Sequence, residues 1–87
     1  MLKLAAIDIG SNAARLLITE VIPNGNCKPE FNKLNLIRVP LRLGFDVFEN
    51  KIISPEKTGM LIQTLKAFRH LINAYHVDAI KACATSA

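Results

Sequence analysis

The sequence predicts an α/β domain of three antiparallel strands, a crossover helix and a fourth strand parallel to the first. Three observations lead to this fold class. Short apolar runs separated by turn residues fill the first half of the chain, a pattern typical of antiparallel strands joined by tight connections. One long segment in the second half has apolar residues at helical spacing. A last apolar run follows it, and a strand–helix–strand crossover within one sheet is nearly always right-handed.

The first two strands flank a short polar turn. The first is predicted from Lys3 to Ile9, and its apolar residues on both faces indicate a strand that is covered on both sides. The second is predicted from Ala14 to Ile22. The short connection between them makes the pair antiparallel.

A third strand is predicted within Lys33 to Val39, after a turn at Pro23 to Asn26 and an irregular extension over 27–32. It should run antiparallel to the second strand. Its apolar residues change faces in the middle, which predicts a β-bulge. The two groups are Leu34 and Leu36 on one face, then Ile37, Val39 and Leu41 on the other.

A helix is predicted to begin after a loop over 47–53. Ser54 is its N-cap, Pro55 takes the first helical position, and Glu56 complements the helix dipole. One apolar stripe runs along this helix and predicts its buried face. The stripe consists of Leu61, Leu65, Phe68, Ile72 and Tyr75.

The fourth strand, Ala79 to Ala84, should return beside the first strand and contain a buried Cys83. The carboxyl ends of two neighbouring parallel strands then meet at one edge of the sheet. Thr85 and Ser86 therefore come close to Asp8 and Gly10, at the kind of edge where ligands bind in α/β sheets.

The turn after the first strand is the predicted functional site. Asp8 precedes Gly10, Ser11 and Asn12, which are residue types that favour turns. Successive turn amides can bind an anion, and a carboxylate can hold Mg²⁺. The residues alone leave a second interpretation open, a plain β-hairpin in which Asp8 caps its own turn.

Composition sets few limits on function. The net charge of +4 is compatible with an acidic ligand, but the basic residues are scattered along the chain. No apolar run reaches the roughly 18 residues that span a bilayer, and Asp8 interrupts the run that resembles a signal peptide. We therefore expect a cytoplasmic protein whose two cysteines, Cys27 and Cys83, are free thiols.

Several segments resemble exopolyphosphatases and guanosine pentaphosphate phosphohydrolases. Ile7 to Asn12, followed by Arg15-Leu16, is similar to the first phosphate loop of that family. Arg42 to Gly44, Ser54 to Glu56 and Ala84 to Ala87 are similar to its later motifs. The order of elements resembles the opening half of a ribonuclease-H-like domain of the sugar-kinase and actin superfamily.

The resemblance implies a hydrolase that releases terminal phosphate from polyphosphate or from guanosine pentaphosphate, with Mg²⁺ as cofactor. It implies that Asp8 helps to position the metal. The phosphate-binding residues would be Gly10, Ser11, Asn12, Arg15, Arg42, Thr85 and Ser86. A homo-oligomer is expected, with no membrane and no specific nucleic acid as partner.

The chain departs from the family pattern in two ways. Ala13 stands where the family usually has a serine, and the family's water-activating glutamate, second phosphate loop and second domain are not in the sequence. We therefore expect residues 1–87 to be the truncated N-terminal part of a phosphatase domain, with no catalytic residue and no turnover of its own. Two alternatives stay open: the ATP-binding half of a sugar-kinase-superfamily kinase, and a non-catalytic fragment that binds a partner chain.

Overall fold

A computed structural model describes residues 2–44, 49 and 51–85 of the chain. The strands are β1 (Leu2–Ile9), β2 (Ala14–Asn24), β3 (Cys27–Val39) and β4 (Ala79–Ala84), and the long helix α1 spans Pro55–Tyr75. The sheet order is β3-β2-β1-β4. β2 is antiparallel to both of its neighbours, and β4 is parallel to β1. The predicted fold class is confirmed.

The β2–β3 hairpin is longer than predicted. Gly25 and Asn26 form a two-residue turn, and the φ of +58° at Gly25 lies in the left-handed region that favours glycine. Asn24 and Cys27 are already paired across the strands. The predicted irregular extension over 27–32 is therefore wrong, because the tight turn returns these exposed residues directly alongside β2.

β3 contains a β-bulge, as predicted, but it lies at Leu34 and not between Leu36 and Ile37, where the sequence pattern placed it. Lys33 and Asn35 face consecutive residues of β2, which leaves Leu34 as the extra residue. Leu34 packs against the core, whereas Leu36 is 51% exposed on the other face of the sheet. The prediction that these two leucines share a face is wrong, because the bulge turns Leu34 toward the helix.

The core lies between α1 and one face of the sheet. Leu16 and Ile18 of β2 are fully buried there, against Phe68 and Ile72 of the helix. The remaining residues of the predicted stripe are partly buried against this core, which confirms the predicted helix face. They are Leu61, Leu65 and Tyr75.

The other face of the sheet, here called the open face, has no second layer within the described part of the chain. Leu2 is 48% exposed and Ala6 is exposed, although both belong to the central strand β1. The prediction that β1 is covered on both sides is therefore wrong for these residues. Across the described ranges, no helix has the length and hydrophobicity needed to cross a bilayer.

The connection between β3 and α1 is only partly described, and residues 47, 48 and 50 of the predicted loop over 47–53 lie outside the described residues. The backbone at Leu43, Gly44 and Glu49 is helical, so the connection is not irregular throughout. At its end, the Ser54 hydroxyl accepts a hydrogen bond from the Lys57 amide at 3.2 Å, which confirms the predicted N-cap.

Replacing Ser54 with alanine should lower the free energy of unfolding by about 1 kcal/mol, because the Lys57 amide loses its acceptor. Urea denaturation followed by circular dichroism measures the change. Ser54→Asp retains an acceptor oxygen at the cap and should stay close to the parent. Equal losses in the two variants would contradict a capping role.

The position of β4 is fixed by contacts between its preceding turn and the start of β1. The Asp78 amide donates to the Lys3 carbonyl, and the Lys3 amide donates to Asp78 Oδ2, both at 2.8 Å. Lys3 Nζ also donates to the carbonyl of Tyr75 at 3.1 Å.

Cys83 in β4 is exposed, so its predicted burial is wrong: β4 is an edge strand and this residue faces the open side. Both cysteines are free thiols, as predicted.

Candidate functional site

A polar pocket of about 190 Å³ lies where β1 ends, the following turn begins and β4 ends. The strand order predicts this convergence, and the amide of Thr85 donates to the carbonyl of Ile9 at 2.9 Å. Six of the residues that the sequence predicts for the site line the pocket, together with Ala13. The lining consists of Asp8, Gly10, Ser11, Asn12, Ala13, Arg15 and Thr85.

The turn is held in place by the segment that follows β3. The Gly44 amide donates to the carbonyl of Ser11 at 2.7 Å, and the Arg42 amide donates to the carbonyl of Asn12 at 2.9 Å. Leu43, between the two donors, is 1% exposed in the core. The core therefore anchors the segment whose backbone fixes the turn.

The same hydrogen bonds determine which backbone groups the turn leaves available. The carbonyl of Ala13 accepts from the Gly10 amide at 2.9 Å, so all three carbonyls of residues 11–13 are used. In a planar trans peptide the N–H points opposite to the carbonyl of the same peptide unit. The amides of Asn12 and Ala13 thus point away from segment 42–44, and the described residues give them no acceptor. They are available as donors to an anion.

Gly10 uses its amide to close the turn, so this amide is not available to a ligand. A Cβ added at Gly10 would lie 3.7 Å from the Ala13 carbonyl oxygen and 4.0 Å from Thr85 Oγ1. These are ordinary van der Waals distances, and the backbone is not in the left-handed region. Gly10 is thus not required by the fold, and its contribution to the pocket is the space it leaves beside Thr85.

Asp8 and Arg15 face each other on β1 and β2, and both side chains are exposed at the pocket. Within the described structure they form no ion pair, and neither side chain makes a hydrogen bond. The alternative in which Asp8 caps its own turn is therefore wrong. A carboxylate and a guanidinium that face the same pocket, and form no ion pair with each other, can bind a cation and an anion side by side.

Two other predicted site residues do not add a side chain to the pocket. Arg42 is exposed with a φ of +55°, and its carbonyl accepts from Lys57 Nζ at 3.1 Å, but its side chain does not line the pocket. Ser86 lies outside the described residues. Ala13, which sequence reasoning treated only as a departure from a family pattern, contributes an unpaired amide. In the sequence, this contribution could have been recognised from the position of Ala13 in the turn, but not from its side chain.

No family model matches the chain, but its sequence is similar to that of a curated protein. The relative is a bifunctional 3-dehydroquinate synthase/phosphatase from Fusobacterium nucleatum. It is 38% identical in a 78-residue alignment that covers 85% of this chain and 11% of that protein.

Solved structures resemble nearly the whole chain. The Aquifex aeolicus Ppx/GppA phosphatase, in its type II variant, matches 97% of this chain with a TM-score of 0.84 and 30% identity. An exopolyphosphatase from Cytophaga hutchinsonii matches 94% with a TM-score of 0.78 and 27% identity. The chain spans 26% and 25% of these structures, respectively. The chain therefore shares its fold, over nearly its whole length, with Ppx/GppA phosphatase and exopolyphosphatase structures, and it spans about a quarter of the length of these two relatives.

Proposed function

We propose that this chain forms the phosphate-binding side of a phosphoanhydride hydrolase site that acts on polyphosphate or on guanosine pentaphosphate. The observation that carries the proposal is the turn beside Asp8 and Arg15, which has two unpaired amides and two unpaired opposite charges. Similar structures named as a phosphatase and an exopolyphosphatase support the reaction class. Because the chain covers about a quarter of them, hydrolysis is proposed only together with the parts that those proteins add.

The anion would be held mainly by the backbone and by one arginine. The amides of Asn12 and Ala13 donate to phosphoryl oxygens, and the guanidinium of Arg15 adds a bidentate pair of charged donors. The hydroxyl of Thr85 closes the opposite side of the pocket. Donors in such an array stabilise charge on a transferring phosphoryl group, which is most of what this chemistry requires from a protein.

The residues present fit a Mg²⁺ ion that is shared with the substrate. The described residues hold no cluster of three or more His, Cys, Asp or Glu that would form a complete metal cage. Mg²⁺ in proteins commonly keeps several waters and uses one or two carboxylates plus substrate phosphates. Asp8, exposed and without a partner, supplies one carboxylate in this pattern. When bound, the metal would offset charge on the phosphoryl oxygens.

Water activation is not assigned to this chain. Among the described residues, Asp8 is the only acidic one in the pocket lining, and the proposal assigns it to the metal. The remaining lining residues are neutral or cationic, so none of them is a general base for the attacking water. In this proposal the chain binds and orients phosphate, and the general base is supplied by a part of the protein outside this pocket lining.

Calorimetric titration of the chain with tripolyphosphate and with ATP, each with and without Mg²⁺, tests the proposal. Tripolyphosphate should bind in a Mg²⁺-dependent manner, and ATP should bind no more tightly, because the polar pocket offers no apolar wall to a nucleobase. ATP binding much tighter than tripolyphosphate binding would favour the kinase alternative. Absence of binding for both ligands would contradict the proposed function.

A further inference from the structure

Four side chains form a row across the open face at the level of the pocket. The strand registers pair Arg38 with Arg15, Arg15 with Asp8, and Asp8 with Cys83. Paired residues share a face of the sheet, and all four are exposed. Arg38 therefore stands beside the arginine that lines the pocket, on the same side of the sheet.

Alternation along β3 confirms the side on which Arg38 lies. Its neighbours Ile37 and Val39 pack against the core under α1, so Arg38 points to the open face. The bulge at Leu34 makes this placement possible, because it shifts the register before Arg38 is reached.

Two arginines directly opposite each other are unfavourable in a sheet unless a negative charge compensates them. Within the described structure neither Arg15 nor Arg38 forms an ion pair or a side-chain hydrogen bond. Asp8 is the acidic residue of the row, and although it lies opposite Arg15 in the strand register, the two side chains form no ion pair in the described structure. Among the described residues, none supplies an anionic partner to these two guanidinium groups, so both are available to an anionic ligand.

We propose that Arg38 is a second phosphate-binding residue, which contacts phosphate groups beyond those held at the turn. This inference rests on the proposed function. Arg38 is outside the pocket lining and lies two strands from Asp8, a distance of about 10 Å between backbones. A single phosphate in the pocket does not reach it, whereas a linear polyphosphate that crosses β2 does. The residue therefore makes affinity depend on the length of the phosphate chain.

The test compares Arg38→Gln with Lys33→Gln, a control that removes a positive charge from the same strand and the same face. Lys33 pairs with Thr19, about 16 Å along the strand from Arg38. Affinities for orthophosphate, tripolyphosphate and a longer linear polyphosphate are measured by calorimetry with Mg²⁺ present. Because Arg38 and Lys33 are both exposed, circular dichroism should show the parent fold for both variants.

Arg38→Gln should weaken binding of the longer polyphosphate about five- to tenfold and leave orthophosphate binding unchanged. Lys33→Gln should have a much smaller effect on either ligand. Equal losses in the two variants, no loss in Arg38→Gln, or an equal loss for orthophosphate would each overturn the role of Arg38. If the parent chain binds none of the three anions, the proposed function fails, and the inference fails with it.

Discussion

Replacing Leu43 with alanine should lower the free energy of unfolding by about 2–5 kcal/mol, the usual cost of truncating a buried leucine. Leu43 is 1% exposed and belongs to the core cluster. A domain of 87 residues has a total stability on the order of 4–13 kcal/mol, so the loss is a large fraction of it. Urea denaturation followed by circular dichroism gives the change directly.

The same substitution should also weaken phosphate binding under conditions where the variant is still folded. The amides on either side of Leu43, those of Arg42 and Gly44, hold the carbonyls of the turn. A loosened segment orients the turn amides less well. Leu36→Ala is the matched control, because Leu36 is 51% exposed on the open face and should cost less than about 1 kcal/mol. Normal phosphate affinity in folded Leu43→Ala would contradict the proposed link between core and turn.

Replacing Asp8 with asparagine should reverse the effect of Mg²⁺ on tripolyphosphate binding. With Mg²⁺ present, affinity should fall about ten- to a hundredfold, because the metal loses its charged ligand. Without Mg²⁺, affinity should rise, because a carboxylate that repels the phosphate has been removed. Stability should change by no more than about 0.5 kcal/mol, since Asp8 is exposed and makes no ion pair in the described structure.

Glu30→Gln is the control for the Asp8 variant. Glu30 is exposed near the start of β3 and pairs with Ile22, far from the turn. The Glu30→Gln substitution also removes one negative charge. Because this charge is far from the turn, tripolyphosphate binding should stay unchanged both with and without Mg²⁺. A Mg²⁺ dependence that survives in Asp8→Asn would show that the metal is held elsewhere.

The sequence was sufficient to predict the elements that determine where the site lies. The apolar stripe on α1 and the short run after it predict a crossover, and a crossover leaves little choice about the direction of β4. Thr85 beside Gly10 follows from that geometry. The side chain–backbone cap at Ser54 is equally local, and it was predicted correctly from residue type and order.

Features that depend on pairing were harder to predict. The exposed residues at the start of β3 have no buried face, so no periodicity marks them as a strand. Leu34 and Leu36 have the spacing of one face, and only the bulge separates them. The location of Arg38 beside Arg15 depends on the same register, which the sequence pattern does not determine. The direction of the turn amides depends on hydrogen bonds with a segment that is about 30 residues away in sequence.

Hydrogen bonds occupy the carbonyls of residues 11–13. As a result, backbone amides are available to an anion, and a side chain is left to attract a cation. The carbonyls of residues 11–13 are occupied, so this part of the main chain presents amide donors, which favour anions whatever side chains it carries. Attraction of a cation rests on the side chain of Asp8. If the chain functions as proposed, a single nucleotide change in the aspartate codon would remove the metal ligand and leave the anion-binding amides of the backbone in place.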